Sequence, residues 1–171
     1  MTGSPRACKP PAESRASITT VVMPVDTNTY GNLFGGRLMS LMDQAAFICA
    51  SRHCRRNCVT VSVDRLDFLT PARNGHIVTV EARMHFVHRS SMEVGVEVMA
   101  EDPITGDRTN PCRALFTLVA LGPDGRPAEV PDLCADTEEE RALFEEGRRR
   151  HEARRRERGG GVGGSAGTAG A

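Results

Sequence analysis

Residues 28–43 read NTYGNLFGGRLMSLMD and carry more information than any other part of this 171-residue chain. Turn-forming residues come first, and the apolar residues after them recur at the spacing of a helix, which is predicted from about Gly36 to His53. The adjacent glycines Gly35 and Gly36 let a ligand approach the backbone closely at the helix start, where the first N–H groups have no intrahelical partner. Such a helix start can hold developing negative charge.

Asp43 is the acidic residue of this predicted helix. Its neighbours over residues 38–49 are apolar nearly all round, which is typical of a core helix. A carboxylate in such surroundings costs several kcal/mol unless it is hydrogen-bonded or serves a function. We therefore expect a buried Asp43 with a functional role, and a structural, hydrogen-bonded carboxylate is the alternative.

Much of the rest of the ordered chain alternates apolar and polar residues with the period of two that predicts β-strands, while Arg113–Leu121 is apolar on both faces, as expected of a central strand. One predicted strand precedes the helix and four follow it, with turns at 74–75, 89–90 and 104–106. Their ranges are Ile18–Met23, Val59–Asp64, Val78–Phe86, Met92–Ala100 and Arg113–Leu121. The predicted class is α+β, with an antiparallel sheet wrapped around one long helix. One helix covers one face of such a sheet, so the sheet edges and the uncovered part of the helix need a second copy of the chain. A dimer with a continuous sheet is therefore expected.

Composition excludes several classes of protein. The 22 basic and 22 acidic residues give a net charge of zero, which argues against nucleic acid as the main partner. No apolar run approaches the roughly 18 residues that span a bilayer, so no membrane partner is expected. The six cysteines occur without a signal-peptide pattern, and we expect free thiols in a cytoplasmic protein.

Four segments are predicted along the chain. A proline-rich leader over residues 1–15 is expected to be disordered, and residues 16–135 form the main domain. Residues 136–158 place acids before bases, which complements a helix dipole, and Leu143 and Phe144 are expected to dock this charged helix on the domain. The Gly/Ala-rich tail over residues 159–171 is expected to be disordered.

Several short motifs resemble those of one family. They are MP-x-DTN at residues 23–28, GN-x-FGG at 31–36, LMD at 41–43, VT-x-SVD at 59–64 and SSMEV at 90–94. Together they resemble the hotdog-fold acyl-coenzyme A thioesterases, in particular the cytosolic or brain acyl-CoA hydrolases and their short bacterial relatives. The resemblance covers about residues 18–150. It implies a hotdog fold, with a five- to six-stranded antiparallel sheet around the long central helix, and hydrolysis of fatty acyl-CoA to free fatty acid and coenzyme A.

The resemblance also implies the site residues. Asn28 and Asp43 match the catalytic pair, which different subunits contribute across a dimer interface, and Gly35 and Gly36 match the positions whose N–H groups point at the thioester carbonyl. The segments that match the coenzyme A site contribute Thr60, Ser62, Asp64, Arg89, Ser90, Ser91 and Met92. The family forms homodimers and commonly trimers of dimers, that is, hexamers. No cofactor is implied, because coenzyme A is part of the substrate.

The chemistry is consistent with these residues. A thiol with a pKa of about 8.5 is a good leaving group, so thioester hydrolysis needs a base and an oxyanion site but no strong general acid. Asp43 could serve as the base or as the nucleophile. His53, Cys54 and Cys58 could suggest zinc, but the C-x-x-x-C spacing lacks a second paired half, so no metal is predicted.

Two other functions compete with this interpretation. A non-catalytic acyl-CoA sensor could use the same dimer, and the presence of both Asn28 and Asp43 argues against it. A hydratase or dehydratase of this fold needs an Asp and a His close together, whereas the first His after Asp43 is His53.

Overall fold

The computed structural model describes residues 6–160, without the side chains of residues 65 and 158–160. The predicted disorder of residues 1–5 and 161–171 lies outside these described residues. Two helices, α1 (Gly35–Cys54) and α2 (Glu138–Gly160), accompany seven strands. The strands are β1 (Cys8–Lys9), β2 (Ala16–Val21), β3 (Asn57–Phe68), β4 (Ile77–His88), β5 (Ser91–Glu101), β6 (Arg108–Leu121) and β7 (Asp132–Leu133).

Five of the strands form one antiparallel sheet in the order β2-β4-β5-β6-β3. A two-residue turn at Arg89 and Ser90 joins β4 to β5, because His88 pairs with Ser91 in the register. Arg89 takes a positive φ of 48°, which a turn this tight requires and which non-glycine residues seldom adopt. This five-stranded sheet, with the long helix α1 between its first and second strands in the chain, confirms the predicted α+β hotdog architecture.

Helix α1 packs on one face of the sheet, mainly against β4 and β5. Its buried side chains meet the strands' inward residues, and the largest fully buried ones include Phe116, Met42, Met84 and Met92. Because the chain has no Trp and six Phe, methionine and valine side chains occupy much of the volume that aromatic residues fill elsewhere. The core therefore lies between α1 and the sheet.

One stripe of α1 is exposed, and it carries Asp43. Met39 and Phe47, four residues to either side, are 39% and 44% exposed, and Asp43 is exposed between them. The prediction that Asp43 is buried is therefore wrong for the single chain. The sheet covers one side of a helix, and a second covering surface is needed to bury the other.

The segment before β2 is ordered. Strand β1 pairs in parallel with β7, and a 3₁₀ helix follows at Pro11–Ser14. The hydroxyl of buried Ser14 lies 3.2 Å from Nδ1 of His53. The predicted disorder is thus wrong for residues 6–15, because pairing with a strand more than 120 residues away orders a segment that has no apolar pattern of its own.

The cysteines also differ from the prediction. A disulfide joins Cys8 to Cys134, whose Cα atoms lie 5.5 Å apart, and it links the segments of β1 and β7. Cys49, Cys54, Cys58 and Cys112 are free and buried. The prediction of free thiols is therefore correct for these four and wrong for the pair.

Helix α2 packs on the face of the sheet opposite α1. Neighbouring residues of a strand point to opposite faces, and Met92 lies in the core while Glu93 contacts α2. The ring of Phe144 lies 5.0 Å from that of Phe86, edge to face. At Gly147 an added Cβ would lie 2.4 Å from Cβ of Phe86, so the glycine allows α2 to approach the strand closely.

A buried ion-pair network fixes α2 in place. The Glu93 carboxylate, 1% exposed, accepts hydrogen bonds from Arg150 Nη2 at 2.7 Å and Arg154 Nη2 at 3.1 Å. Arg154 Nη1 also lies 2.5 Å from Oδ2 of Asp64 on β3. The network thus connects α2 to both β5 and the edge strand β3.

Replacing Glu93 should destabilise the protein. We expect Glu93→Ala to lower the free energy of unfolding by about 3–5 kcal/mol, because it removes the buried carboxylate that two partly buried guanidinium groups share. Glu145→Ala is the matched control, since Glu145 pairs with Arg148 at the surface, where such pairs contribute about 0–1 kcal/mol. Urea unfolding of both variants measures the difference, and equal losses would show that α2 does not depend on the network.

Candidate active site

The loop that carries Asn28 is held by its own side chain. The Asn28 Oδ1 atom accepts hydrogen bonds from the N–H groups of Tyr30 at 2.9 Å and Asn32 at 3.2 Å. Gly31 supplies the positive φ of 74° that this tight loop needs. Because Oδ1 is occupied, the side-chain NH₂ of the exposed Asn28 is the group that can act on a ligand, as a hydrogen-bond donor.

Helix α1 begins beside this loop. Phe34 precedes it in extended backbone, and no side chain caps the helix start. An added Cβ at Gly36 would lie 2.7 Å from the Phe34 ring, and one at Gly35 would lie 3.4 Å from the Phe68 ring. A largely apolar cleft of about 370 Å³ opens here, lined by Asn28, Leu33, Gly35, Leu38, Phe68 and Leu69 among others. The helix start thus presents backbone N–H groups near an apolar space of the size of a small ligand site.

Asp43 lies two turns further along α1 and is oriented by β3. The Thr60 hydroxyl donates a hydrogen bond of 2.6 Å to Oδ1 of Asp43. Oδ2 has no partner among the described residues. An oriented and exposed carboxylate with a free oxygen can take a proton from water or attack a carbonyl carbon.

Within one chain, these two parts of the predicted site are apart. Asp43 does not line the cleft that contains Asn28 and Gly35. Eight residues separate Gly35 from Asp43, which corresponds to about 12 Å along the helix axis. The structure therefore brings Asn28 together with Gly35, and Asp43 together with Thr60, but it does not join the two pairs in a single protomer.

The residues matched to coenzyme A on β3 lie on two faces of the sheet. The pairing register between β3 and β6 shifts between Thr60 and Ser62, because Val61 is an extra residue on β3. As a result Thr60 contacts α1, whereas Ser62 donates to Asp64 at 2.8 Å and Asp64 pairs with Arg154 of α2. Thr60 is thus placed to orient the carboxylate, a role that the sequence did not predict.

The residues of the β4–β5 turn that match the coenzyme A site also lie in different surroundings. The Met92 side chain is fully buried, so only the backbone of this residue could face a ligand, and its assignment to the coenzyme A site stays a prediction. Arg89, Ser90 and Ser91 line a separate cleft of about 430 Å³. His151 and Arg155 of α2 line this cleft too. Nothing in the sequence distinguishes these two side chains from the other charged residues of α2.

The thiols that could suggest zinc lie at the C-terminal end of α1. The Cys54 and Cys58 side chains interact, and the hydroxyl of Ser51 lies 3.3 Å from Sγ of Cys58. Their mutual hydrogen bond lowers the pKa of Cys54 to about 6 and raises the pKa of Cys58. Among residues 6–160, no group of three or more His, Cys, Asp and Glu side chains is arranged to hold a metal ion.

Residues 30–106 match the thioesterase superfamily. An acyl-CoA thioester hydrolase of Bacillus subtilis is 43% identical over 155 residues, which cover 85% of this chain and 88% of that protein. The human cytosolic acyl coenzyme A thioester hydrolase is 41% identical over 141 residues, which cover 81% of this chain and 37% of the human protein.

Solved structures give the same result. An acyl-CoA hydrolase from Staphylococcus aureus, in complex with butyryl coenzyme A, coenzyme A and coenzyme A disulfide, is 32% identical and superimposes with a TM-score of 0.80 over 88% of this chain and 92% of its own. A hexameric thioesterase from Yersinia pestis is 36% identical, with a TM-score of 0.63 over 67% of this chain and 93% of its own.

The fold and these matches define a hotdog thioesterase. Within that class, the chain belongs to the acyl-CoA thioester hydrolases, enzymes that hydrolyse thioesters of coenzyme A. In the part of the chain that the structure describes, neither helix is long and apolar enough to cross a membrane.

Proposed function

We propose that this enzyme hydrolyses fatty acyl-CoA to free fatty acid and coenzyme A at a site shared between two subunits. The observation that carries the proposal is the exposed Asp43 carboxylate, which Thr60 orients through a 2.6 Å hydrogen bond. One subunit supplies Asp43, and the other supplies Asn28 with the N–H groups at Gly35 and Gly36. Site residues of this kind are supported by solved variants of the Staphylococcus aureus enzyme, in which an aspartate, an asparagine and a threonine are each replaced by alanine.

The separation within one chain supports a shared site. A carboxylate and an amide that act on one carbonyl carbon must both lie within hydrogen-bond reach of the reacting atoms. About 12 Å of helix separates Gly35 from Asp43, and Asn28 lines the Gly35 cleft. A second copy that covers the exposed face of α1 would bring its own Asn28 loop to Asp43.

An exposed apolar surface supports the dimer. Strand β3 is at the edge of the sheet, and its Val59, Val61 and Val63 are 44%, 51% and 37% exposed. Met39 and Phe47 of α1 are also exposed, four residues to either side of Asp43. A long apolar edge strand invites pairing with another strand, and pairing with β3 of a second copy would continue the sheet across the dimer. Assembly into a trimer of dimers is the further expectation.

The reaction follows from the roles of these groups. As a base, Asp43 removes a proton from water, the oxygen attacks the thioester carbon, and the N–H groups at the helix start hold the oxyanion. The carbon–sulfur bond then breaks, and the leaving thiolate of coenzyme A takes up the proton. In the alternative route Asp43 itself attacks, and water hydrolyses the resulting anhydride. Neither route requires a metal or a resident cofactor, and we propose none.

The partner and location expectations rest on the same features. We propose that acyl-CoA is the ligand, that the chain forms homodimers that can assemble into trimers of dimers, without a nucleic-acid or membrane partner, and that the enzyme works in the cytoplasm. The balanced charge supports the absence of a nucleic-acid partner. The cytosolic designation of the human relative supports the location.

A substrate panel tests the proposed activity. We expect release of free thiol from acyl-CoA esters between acetyl-CoA and palmitoyl-CoA, measured with a thiol reagent, and release slower by about 10²–10⁴ from the Asp43→Ala variant. Tight binding of these esters without turnover in the wild type would instead support the non-catalytic sensor. If the wild type neither binds nor hydrolyses these esters, both the hydrolase and the sensor interpretations are contradicted.

A further inference from the structure

The start of α1 keeps its N–H donors free. No side chain caps the helix, and its first turn contains no acidic residue. Among the described residues, the N–H groups of Gly35, Gly36 and Arg37 make no hydrogen bond, whereas the N–H of Leu38 donates to the carbonyl of Phe34 at 3.0 Å. A capping side chain would stabilise the helix end but would occupy these donors. The donors that the proposed reaction needs are therefore free, and another contact has to hold the helix start in place.

Asp26 supplies that contact from outside the helix. Its Oδ1 accepts a hydrogen bond of 3.0 Å from Nε of Arg37 in the first turn of α1. Its Oδ2 lies 3.4 Å from the backbone nitrogen of Met23, and its carbonyl oxygen accepts a hydrogen bond of 2.8 Å from the N–H of Phe34. The helix dipole disfavours a cation in the first turn, so a carboxylate that pairs with Arg37 there is favourable. The pair thus holds the helix start without using its free N–H groups.

The same contact holds the loop that carries Asn28. This loop begins two residues after Asp26 and is closed by a β-bridge between Thr27 and Leu33. We propose that Asp26 and Arg37 are positioning residues, which hold the Asn28 loop against the start of α1. The Asn28 amide and the free N–H groups can then act on the same thioester. This inference rests on the proposed function, because it concerns how two parts of that site are kept together.

Neither member of the pair belongs to the cleft beside the helix start. Asn28 and Gly35 line this cleft, and Asp26 and Arg37 do not. The Arg37 side chain is 42% exposed and the Asp26 side chain is 20% exposed, and ion pairs near the surface contribute little to stability. Positions around a reacting group matter much more, because a misplacement of about 1 Å can cost about 10²-fold in rate. The pair should therefore affect turnover more than it affects stability.

Replacing either member of the pair tests this expectation. We expect Asp26→Asn and Arg37→Gln each to lower kcat for butyryl-CoA by about 10–100-fold, with KM changed by less than about threefold. The melting temperature should fall by no more than about 4 °C. Because the two side chains act as one unit, the double variant should lose no more kcat than a single variant. Arg108→Gln is the matched control, since it removes a surface guanidinium whose Nε pairs with Glu101 at 2.7 Å, and it should leave kcat unchanged.

Hydrogen exchange separates failure of this proposal from failure of the proposed function. Backbone exchange over residues 26–37, measured by mass spectrometry, should be several-fold faster in Asp26→Asn than in Arg108→Gln, even if the wild type hydrolyses no acyl-CoA. Faster exchange with wild-type kcat would overturn the assignment, since the pair would then serve the fold alone. A lower kcat without faster exchange would also overturn it. Additive losses in the double variant, or a loss confined to Arg37→Gln, would overturn it too, since the guanidinium would then act on the substrate itself.

Discussion

Asp43→Ala is expected to lower kcat for acyl-CoA hydrolysis by about 10²–10⁴, the range for loss of a positioned general base. The fold should remain intact, because Asp43 is exposed and its side chain is held by a hydrogen bond from Thr60 at the surface. Steady-state thiol release measures the effect on kcat, and thermal unfolding measures stability.

Two further variants isolate the cause. Asp43→Asn keeps the size of the side chain and an oxygen that can accept from Thr60, but it removes the basic carboxylate, so its kcat should fall nearly as far. Asp107→Asn makes the same chemical change in the exposed β5–β6 turn and should leave kcat unchanged. Full activity of Asp43→Asn would show that Asp43 only orients its neighbours.

Mixing two inactive chains is expected to restore activity. Asn28→Ala removes the amide donor and should also impair turnover, so neither it nor Asp43→Ala alone forms a complete site. In a hybrid dimer with sites shared between subunits, one site carries both substitutions and the other carries neither. After random exchange about half of the dimers are hybrids, so activity should reach about a quarter of the wild-type value.

The control for this experiment is a chain that carries both substitutions. Mixing the double variant with Asp43→Ala leaves every site without one of the two groups, so activity should stay at the level of the single variants. Exchange has to be verified with differently tagged chains. Persistent inactivity of the Asn28→Ala and Asp43→Ala mixture after verified exchange would refute the shared site.

Elements with a local pattern could be predicted closely. The helix predicted from about Gly36 to His53 is observed at Gly35–Cys54, and each predicted strand lies within or overlaps an observed one. Apolar spacing and turn residues act over a few positions, so they can be read without knowledge of the fold.

Features that depend on distant residues could not be predicted. The extra residue Val61 reverses the faces of β3, so Thr60 contacts Asp43 while Ser62 and Asp64 face α2. Strict alternation would have placed all three polar residues on one face. The order of residues 6–15 likewise depends on a strand at the other end of the domain.

The sequence by itself determined the α+β class and the long helix, since these follow from periodicity within short segments, and its motifs supply the residues of the proposed site. Only the tertiary structure decided that Asp43 is exposed, that Thr60 orients it, and that α2 is fixed to the sheet by Glu93. Exposure and contact depend on which surfaces meet when the chain is packed. A sequence pattern records the apolar and polar faces of an element, but not what covers each face.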